Sequence, residues 1–375
     1  MRGGARAATV GELLEGRSIC ICAGAGGVGK TTTAAAIALG AAARGRRAAV
    51  LTIDPAKRLA NALGLEELGN TPRRVDAPVE GELWAMMLDP KRTFDELVEA
   101  YAPDARRRDA VLSNRIYQEL SNAVAGSTEY MAMEKLYELH AERRFDLLVL
   151  DTPPTRNALD FLDAPERLSS FIDSRSLKLL TSTGRTGLRV VGRGTSLVLR
   201  VLERVTGVDL LADLSAFFQA FGDMADGFRE RALRVRELLG APETVFLVVA
   251  SPQRAALDEA IFFRRRLAEG RMPFGGVIVN RMHEEGLLEG SLGNAAEELL
   301  GPELGRKVAR TYEEYRRLAR HDREHVDRLA AELAGEPIVY VPDFDENVYD
   351  LAGLAAMVPH LFGDQTGADQ PSGSS

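Results

Sequence analysis

The residues with the clearest chemical content are Gly24, Gly29, Lys30 and Thr31. They stand in the fixed places of the pattern G-x-x-x-x-G-K-[ST], within Gly24-Ala25-Gly26-Gly27-Val28-Gly29-Lys30-Thr31-Thr32. A loop of this composition binds phosphate. Its glycines let successive backbone N–H groups face one anion, and a helix that follows adds the positive end of its dipole. Lys30 is then expected to reach the β- and γ-phosphates of a nucleotide, and the Thr31 hydroxyl to hold Mg²⁺. Two carboxylates join this set. Asp54 follows the apolar run 48–53 and precedes Pro55. Asp151 follows the apolar run 145–150 and opens Asp151-Thr152-Pro153-Pro154-Thr155. An acid at the end of a hydrophobic strand, downstream of a phosphate loop, is the expected second metal-side group, and Asp151 takes that place. At Asp54 a plain turn-forming role is the alternative.

These side chains need a strand, a turn and a helix to aim them, and the flanks supply all three. Residues 18–23 read as a buried strand, and residues 33–43, rich in Ala, Ile and Leu, as a helix. More strands are expected at 48–53, 83–88, 145–150, 245–250, 276–279 and 337–341. Helices are expected at 57–65, 130–140, 256–267 and 296–333. This alternation implies an α/β fold, a doubly wound and mostly parallel sheet with right-handed crossovers. Asp54 and Asp151 then lie at carboxyl ends of strands, where such sheets bind ligands. One phosphate-loop domain is expected over 1–362, with helical insertions at about 91–127 and 165–239 and a disordered tail over 363–375. Residues 184–194, rich in Gly and Arg, read as a mobile centre of the second insertion. The apolar residues of 197–221 either pack a core or line a groove for a client.

Composition narrows the function classes. The chain has 375 residues, 45% apolar and 27% charged, with a formal net charge of −8. That charge argues against a nucleic-acid partner. No apolar run reaches the roughly 18 residues of a membrane span, and residues 1–17 lack the apolar core of a secretory leader, so a cytoplasmic protein is expected. Cys20 and Cys22 are the two cysteines of the chain. They alternate with isoleucines on the first strand and read as small core residues in a reducing compartment. His140, and His321 with His325, are expected on solvated helix faces, since no carboxylate–histidine cluster accompanies them.

The loop, the stretch Thr52-Ile53-Asp54-Pro55-Ala56 and the stretch Asp151-Thr152-Pro153-Pro154-Thr155 together resemble the arsenite-pump ATPase family. That family includes the eukaryotic ATPase that delivers tail-anchored membrane proteins. The resemblance runs through Asn280-Arg281 and Val341-Pro342. It implies a Mg²⁺-dependent ATPase that works as a nucleotide-gated dimer. It implies that Asp54 positions or activates the attacking water, that Asp151 starts the second switch and supports Mg²⁺, and that Asn280 and Pro342 line the adenine pocket. The chain departs from the family pattern in four ways. Ala25 replaces the first lysine of the family's loop, which contacts nucleotide across the dimer. The chain is a single half of the tandem arrangement. It has no Cys-x-x-Cys zinc motif. Its only thiols for arsenite are those of the core strand.

The expected function is an ATPase that switches a homodimer, or a heterodimer with a paralogous subunit, between open and closed states to act on a partner. ATP and Mg²⁺ are the expected cofactors. Two alternatives stand beside it: a nucleotide-dependent chaperone or targeting module for hydrophobic membrane-protein segments, and a positioning ATPase of the MinD/ParA kind.

Overall fold

The computed structural model describes residues 8–54, 56–114, 117–118, 128–153, 224–284, 293–344, 348 and 350–363. Eight strands pair into one sheet, in the order β3-β4-β2-β5-β1-β6-β7-β8. They are β1 (Ile19–Gly24), β2 (Arg47–Thr52), β3 (Arg73–Val75), β4 (Glu82–Met87), β5 (Leu147–Asp151), β6 (Thr244–Ala250), β7 (Phe274–Met282) and β8 (Ile338–Pro342). All pairings are parallel except β3 with β4. The central strands read as continuous apolar runs because helices cover both faces of a parallel sheet. Every residue of β1, β5 and β6 is buried.

The described residues divide into two compact units. The first holds the sheet with α1 (Val10–Leu13), α2 (Lys30–Ala42), α3 (Arg58–Ala62), α8 (Arg254–Glu269), α9 (Gly293–Leu300), α10 (Pro302–Leu333) and α11 (Leu351–Phe362). α2 is buried almost along its whole length. Its Gly40 lets Phe362 of α11 approach so closely that a Cβ there would lie 2.3 Å from the ring. The second unit comprises α4 (Pro90–Tyr101), α5 (Ala105–Leu112), α6 (Thr128–Ala141) and most of α7 (Ala225–Gly240). Asp89 and Asp104 cap α4 and α5 through the amides of Arg92 and Arg107, each a contribution of about 1 kcal/mol. Phe94, Tyr101, Tyr117 and Phe228 form its aromatic core. Glu134 and Lys135 of α6 are buried ions with partners: Arg231 Nε donates to Glu134 at 2.6 Å, and Lys135 Nζ donates to Glu96 at 3.0 Å and to Glu138 at 2.9 Å.

Several expectations shift. The seven expected strands are present, and β3 is an eighth that antiparallel pairing with β4 creates. The helix expected over 296–333 is two helices, broken at Gly301 (φ 79°) just before Pro302. α11 was not expected at all. His325 is half-buried rather than solvated, with Nδ1 2.9 Å from the Pro252 carbonyl oxygen. Residues 184–194 and 197–221, most of the insertion over 165–239, Pro154 and Thr155 of the second switch, and the tail over 364–375 lie outside the described residues.

Candidate nucleotide site

Because β1, β2, β5 and β7 run parallel, their carboxyl ends share one edge of the sheet. Each end supplies part of one constellation. β1 runs into the loop at Gly24, where φ is 154° and a Cβ would lie 2.0 Å from the Val249 carbonyl oxygen of β6. The loop closes at Gly29, φ 91°, where a Cβ would lie 2.3 Å from Asn280 Nδ2. Left-handed backbone and close approach both demand glycine there. Asn280, buried in β7, donates its amide to the Val28 carbonyl at 2.9 Å and so anchors the loop from below. Gly26 and Gly27 are exposed at the loop's crest, and Thr32 lies in the first turn of α2.

Lys30 is the first residue of α2, and the loop wraps it: Nζ donates to the Ala25 carbonyl at 2.7 Å. Burial lowers the pKa of its ammonium, while Asp151 and Asp54 oppose that shift. Asp151 is 2% exposed. Its Oδ2 accepts from Thr31 Oγ1 at 2.6 Å and from Thr52 Oγ1 at 2.9 Å. Its Oδ1 is buried and has no hydrogen-bond partner among the described residues. Burial pushes this carboxyl up to about 6, against the two hydroxyl donors and Lys30. A buried acceptor left unpaired costs about 1–3 kcal/mol, so the open oxygen calls for a cation or a solvated one. Mg²⁺ keeps several waters and takes one or two protein oxygens. A single carboxylate beside a single hydroxyl fits that demand. Among the described residues no group of three or more His, Cys, Asp or Glu side chains could form an all-protein metal cage.

Thr52 links the two acids. Its hydroxyl donates to Asp151 and accepts the Asp54 amide at 3.2 Å. Asp54 Oδ1 then accepts from the Ala56 amide at 2.9 Å, a local turn that fixes the carboxylate. Asp54 Oδ2 is 3.9 Å from Arg58 Nη1. Pro342 is set differently from the rest. It ends β8 opposite Met282, two residues past Asn280. His283 follows, its Nδ1 2.7 Å from Asp322 Oδ2 on α10. Sequence reasoning passed over Thr52, Arg58 and the His283–Asp322 pair. The signal for Thr52 was present: a hydroxyl closing an apolar strand two residues before an acid.

A glycine-rich turn between a central parallel strand and a buried helix, with a threonine-bound acid on the adjacent strand, defines a phosphate-loop nucleotide-binding protein. The chain belongs to the anion-transporting ATPase family, whose model matches residues 17–292. It is 27% identical over 248 residues to the ATPase ASNA1 homolog of Trypanosoma cruzi, covering 64% of this chain and 64% of that protein. It is 26% identical over 247 residues to ATPase GET3 of Zygosaccharomyces rouxii, covering 62% and 63%. It is 24% identical over 332 residues to the putative arsenical pump-driving ATPase 1 of Aquifex aeolicus, covering 86% and 72%. The match to the first two spans under two thirds of those relatives' own lengths. Among the described residues no helix is long and apolar enough to cross a membrane.

Proposed function

We propose that the chain is a Mg²⁺-dependent ATPase. The observation that carries this is Asp151: a buried carboxylate with one oxygen held by Thr31 and Thr52 and the other open, beside the loop. The N–H groups of residues 24–31 and Lys30 bind the phosphates. Asn280 and Pro342 line the base pocket. Thr31 and Asp151 would hold Mg²⁺, which when bound offsets charge on the phosphate oxygens. Asp54, fixed by the Thr52 hydroxyl and the Ala56 amide, orients the attacking water. The test is calorimetry and turnover with Mg·ATP. Lys30→Ala should remove tight binding while leaving the thermal unfolding transition in place. A variant that binds Mg·ATP as the wild type does would refute the loop assignment.

The name of one relative, a putative arsenical pump-driving ATPase, supports a further reading, an ATPase that acts on a partner; the resemblance noted in the sequence adds a membrane-protein client as a candidate partner. We propose a nucleotide-gated homodimer, or a heterodimer with a paralogous subunit, built on one phosphate-loop domain that carries the helical segments as insertions. Light scattering with and without Mg·ATP, with Lys30→Ala as control, tests it. A monomer mass in every state, including with a co-expressed paralogue, would refute it.

A further inference from the structure

Arg58 is a basic side chain at the site that the reading above leaves without a role. It stands in α3, in the turn that leaves β2, and its guanidinium lies 3.9 Å from Asp54 Oδ2. That is beyond hydrogen-bonding distance, and the guanidinium makes no hydrogen bond among the described residues. The side chain is 72% exposed. An i,i+4 pair at this exposure contributes little to stability, so fold stability does not explain the placement. The backbone that carries the side chain is nonetheless tied to the metal-side acid. Thr52 is bound to Asp151, Asp54 to Thr52, Ala56 to Asp54, and the Arg58 amide donates to the Ala56 carbonyl at 2.7 Å.

The charge balance leaves room for a second basic side chain. The loop contributes one, Lys30, and its second position is Ala25. Against Lys30 and the Mg²⁺ proposed above stand Asp151, Asp54 and a triphosphate, whose negative charge exceeds theirs. As the γ-phosphoryl group is transferred, charge spreads over its three equatorial oxygens, and phosphate-loop enzymes commonly meet that charge with an arginine supplied from the same chain or from a partner. A planar guanidinium suits this, because its paired donors match two phosphate oxygens.

Resting on the reading of the chain as an ATPase, we propose that Arg58 is a catalytic residue supplied in cis, whose guanidinium donates to the γ-phosphoryl oxygens while Asp54 orients the water. In that step the water oxygen forms a bond to the γ-phosphorus as the bond from phosphorus to the β–γ bridging oxygen breaks. ADP leaves with that electron pair, and the protons of the water pass to phosphate and solvent. The products are ADP and inorganic phosphate, and no redox partner is needed.

The experiment compares Arg58→Ala, Arg58→Gln and Arg58→Lys with wild type in the full chain. Turnover of Mg·ATP is measured beside calorimetric affinity for Mg·ADP, which lacks the γ-phosphate. Arg58→Ala should lose at least ~10²-fold in kcat and keep Mg·ADP affinity within about threefold. Arg58→Lys should recover only part of the rate, since one ammonium cannot pair two oxygens. Because the side chain is exposed, free guanidinium at millimolar concentration should restore about tenfold of the lost rate in Arg58→Ala, and urea should not. Turnover within about threefold of wild type in Arg58→Ala and Arg58→Gln would overturn the proposal. So would a fall in Mg·ADP affinity that matches the fall in rate, and so would an absence of rescue. A wild type with no turnover that Lys30→Ala removes would overturn the ATPase reading and this proposal together. A wild type that turns over, with Arg58→Ala keeping pace, would overturn Arg58 alone.

Discussion

Asp151 and Glu134 are each 2% exposed, yet their surroundings differ. Glu134, in the helical unit, has both oxygens engaged. Oε1 accepts from Arg231 at 2.6 Å, and Oε2 lies 3.5 Å from the Tyr130 hydroxyl. Arg231 is itself seated over the Tyr137 ring at 3.9 Å. Asp151, at the carboxyl end of the interior strand β5, crowds two hydroxyls onto Oδ2 and leaves Oδ1 without a hydrogen-bond partner among the described residues. Side chains of the described residues complete the first carboxylate and do not complete the second, which on the function proposed here is left for a ligand. A buried acid that serves the fold carries its counter-ion with it. A buried acid that serves a ligand is left partly unsatisfied, and the fold bears that cost.

The largest expected effect breaks the comparison at Asp151. Asp151→Asn should lower Mg·ATP turnover at least ~10³-fold, because the charge that would hold the cation is gone. Its stability should move the other way. The folded carboxyl sits at about 6, above the ordinary value of 3.8. A raised value means the charged form is disfavoured in the folded chain. The cost of ionising Asp151 is therefore absent below the ordinary carboxylate range and builds as pH rises through about 6. Without nucleotide or metal, thermal unfolding should show Asp151→Asn at or above wild type at pH 8, the two converging toward pH 4. A variant less stable at pH 8 would show that the charge of Asp151 serves the fold.

Asp54 comes next. It is one-third exposed and held by a local turn, so its removal leaves little unpaired. Asp54→Asn should keep nucleotide affinity within roughly tenfold and lower turnover by at least ~10², the usual effect of a positioned acid–base group. Unchanged steady-state turnover would remove Asp54 from the chemistry.

Glu134→Ala sharpens the comparison from the other side. It strands Arg231, which is 17% exposed, among Tyr101, Tyr130 and Tyr137. Breaking a buried pair costs about 3–5 kcal/mol. Chemical denaturation should register a loss of that order, with Mg·ADP affinity unaltered. A turnover defect with no stability defect would reverse the assignment of roles between the two acids.

The candidate nucleotide site was more legible in the sequence than the helical unit, for a physical reason. Phosphate binding depends on backbone conformation over nine consecutive residues, so its requirements are written at fixed spacing from Gly24 to Thr32. Asp54 and Asp151 were legible because the strands that carry them are short apolar runs with an abrupt polar end. The Thr52–Asp151 bond was not legible, since its two strands pair only in the folded sheet. β3 was invisible for the same reason: Arg73-Arg74-Val75 has no strand pattern of its own and is made by β4. The Glu134–Arg231 pair joins helices far apart in sequence, and neither residue carries a local signal. α11 did carry one. Asp350 caps it through the Gly353 amide at 2.8 Å, and Gly363 ends it at φ 76°. Pro359, in its last turn, obscured that signal.

The smallest expected effect concerns a third buried pair, Cys20 and Cys22, which lie in the strand that carries the loop. They are free thiols, fully enclosed, and Cys22 is paired in register with Asp151. Position alone would make them candidates for binding a metalloid of the kind that the name of one relative, an arsenical pump-driving ATPase, points to. The surroundings of Cys22 argue otherwise. A hydrogen bond with Cys20 and then burial, with the neighbouring Asp151 carboxylate adding to both, hold the Cys22 thiol well above its ordinary value. Capture of a trivalent metalloid needs thiolate, and a neutral thiol in an apolar strand neither forms it nor admits a solvated ion. Arsenite or antimonite should therefore leave Mg·ATP turnover unchanged across the micromolar to millimolar range. Cys20→Ala with Cys22→Ala should respond in the same way as wild type. A saturable stimulation that the double substitution removes would mean that the strand opens during the cycle. The line between groups that serve the fold and groups that serve a ligand would then have to be redrawn along β1 itself.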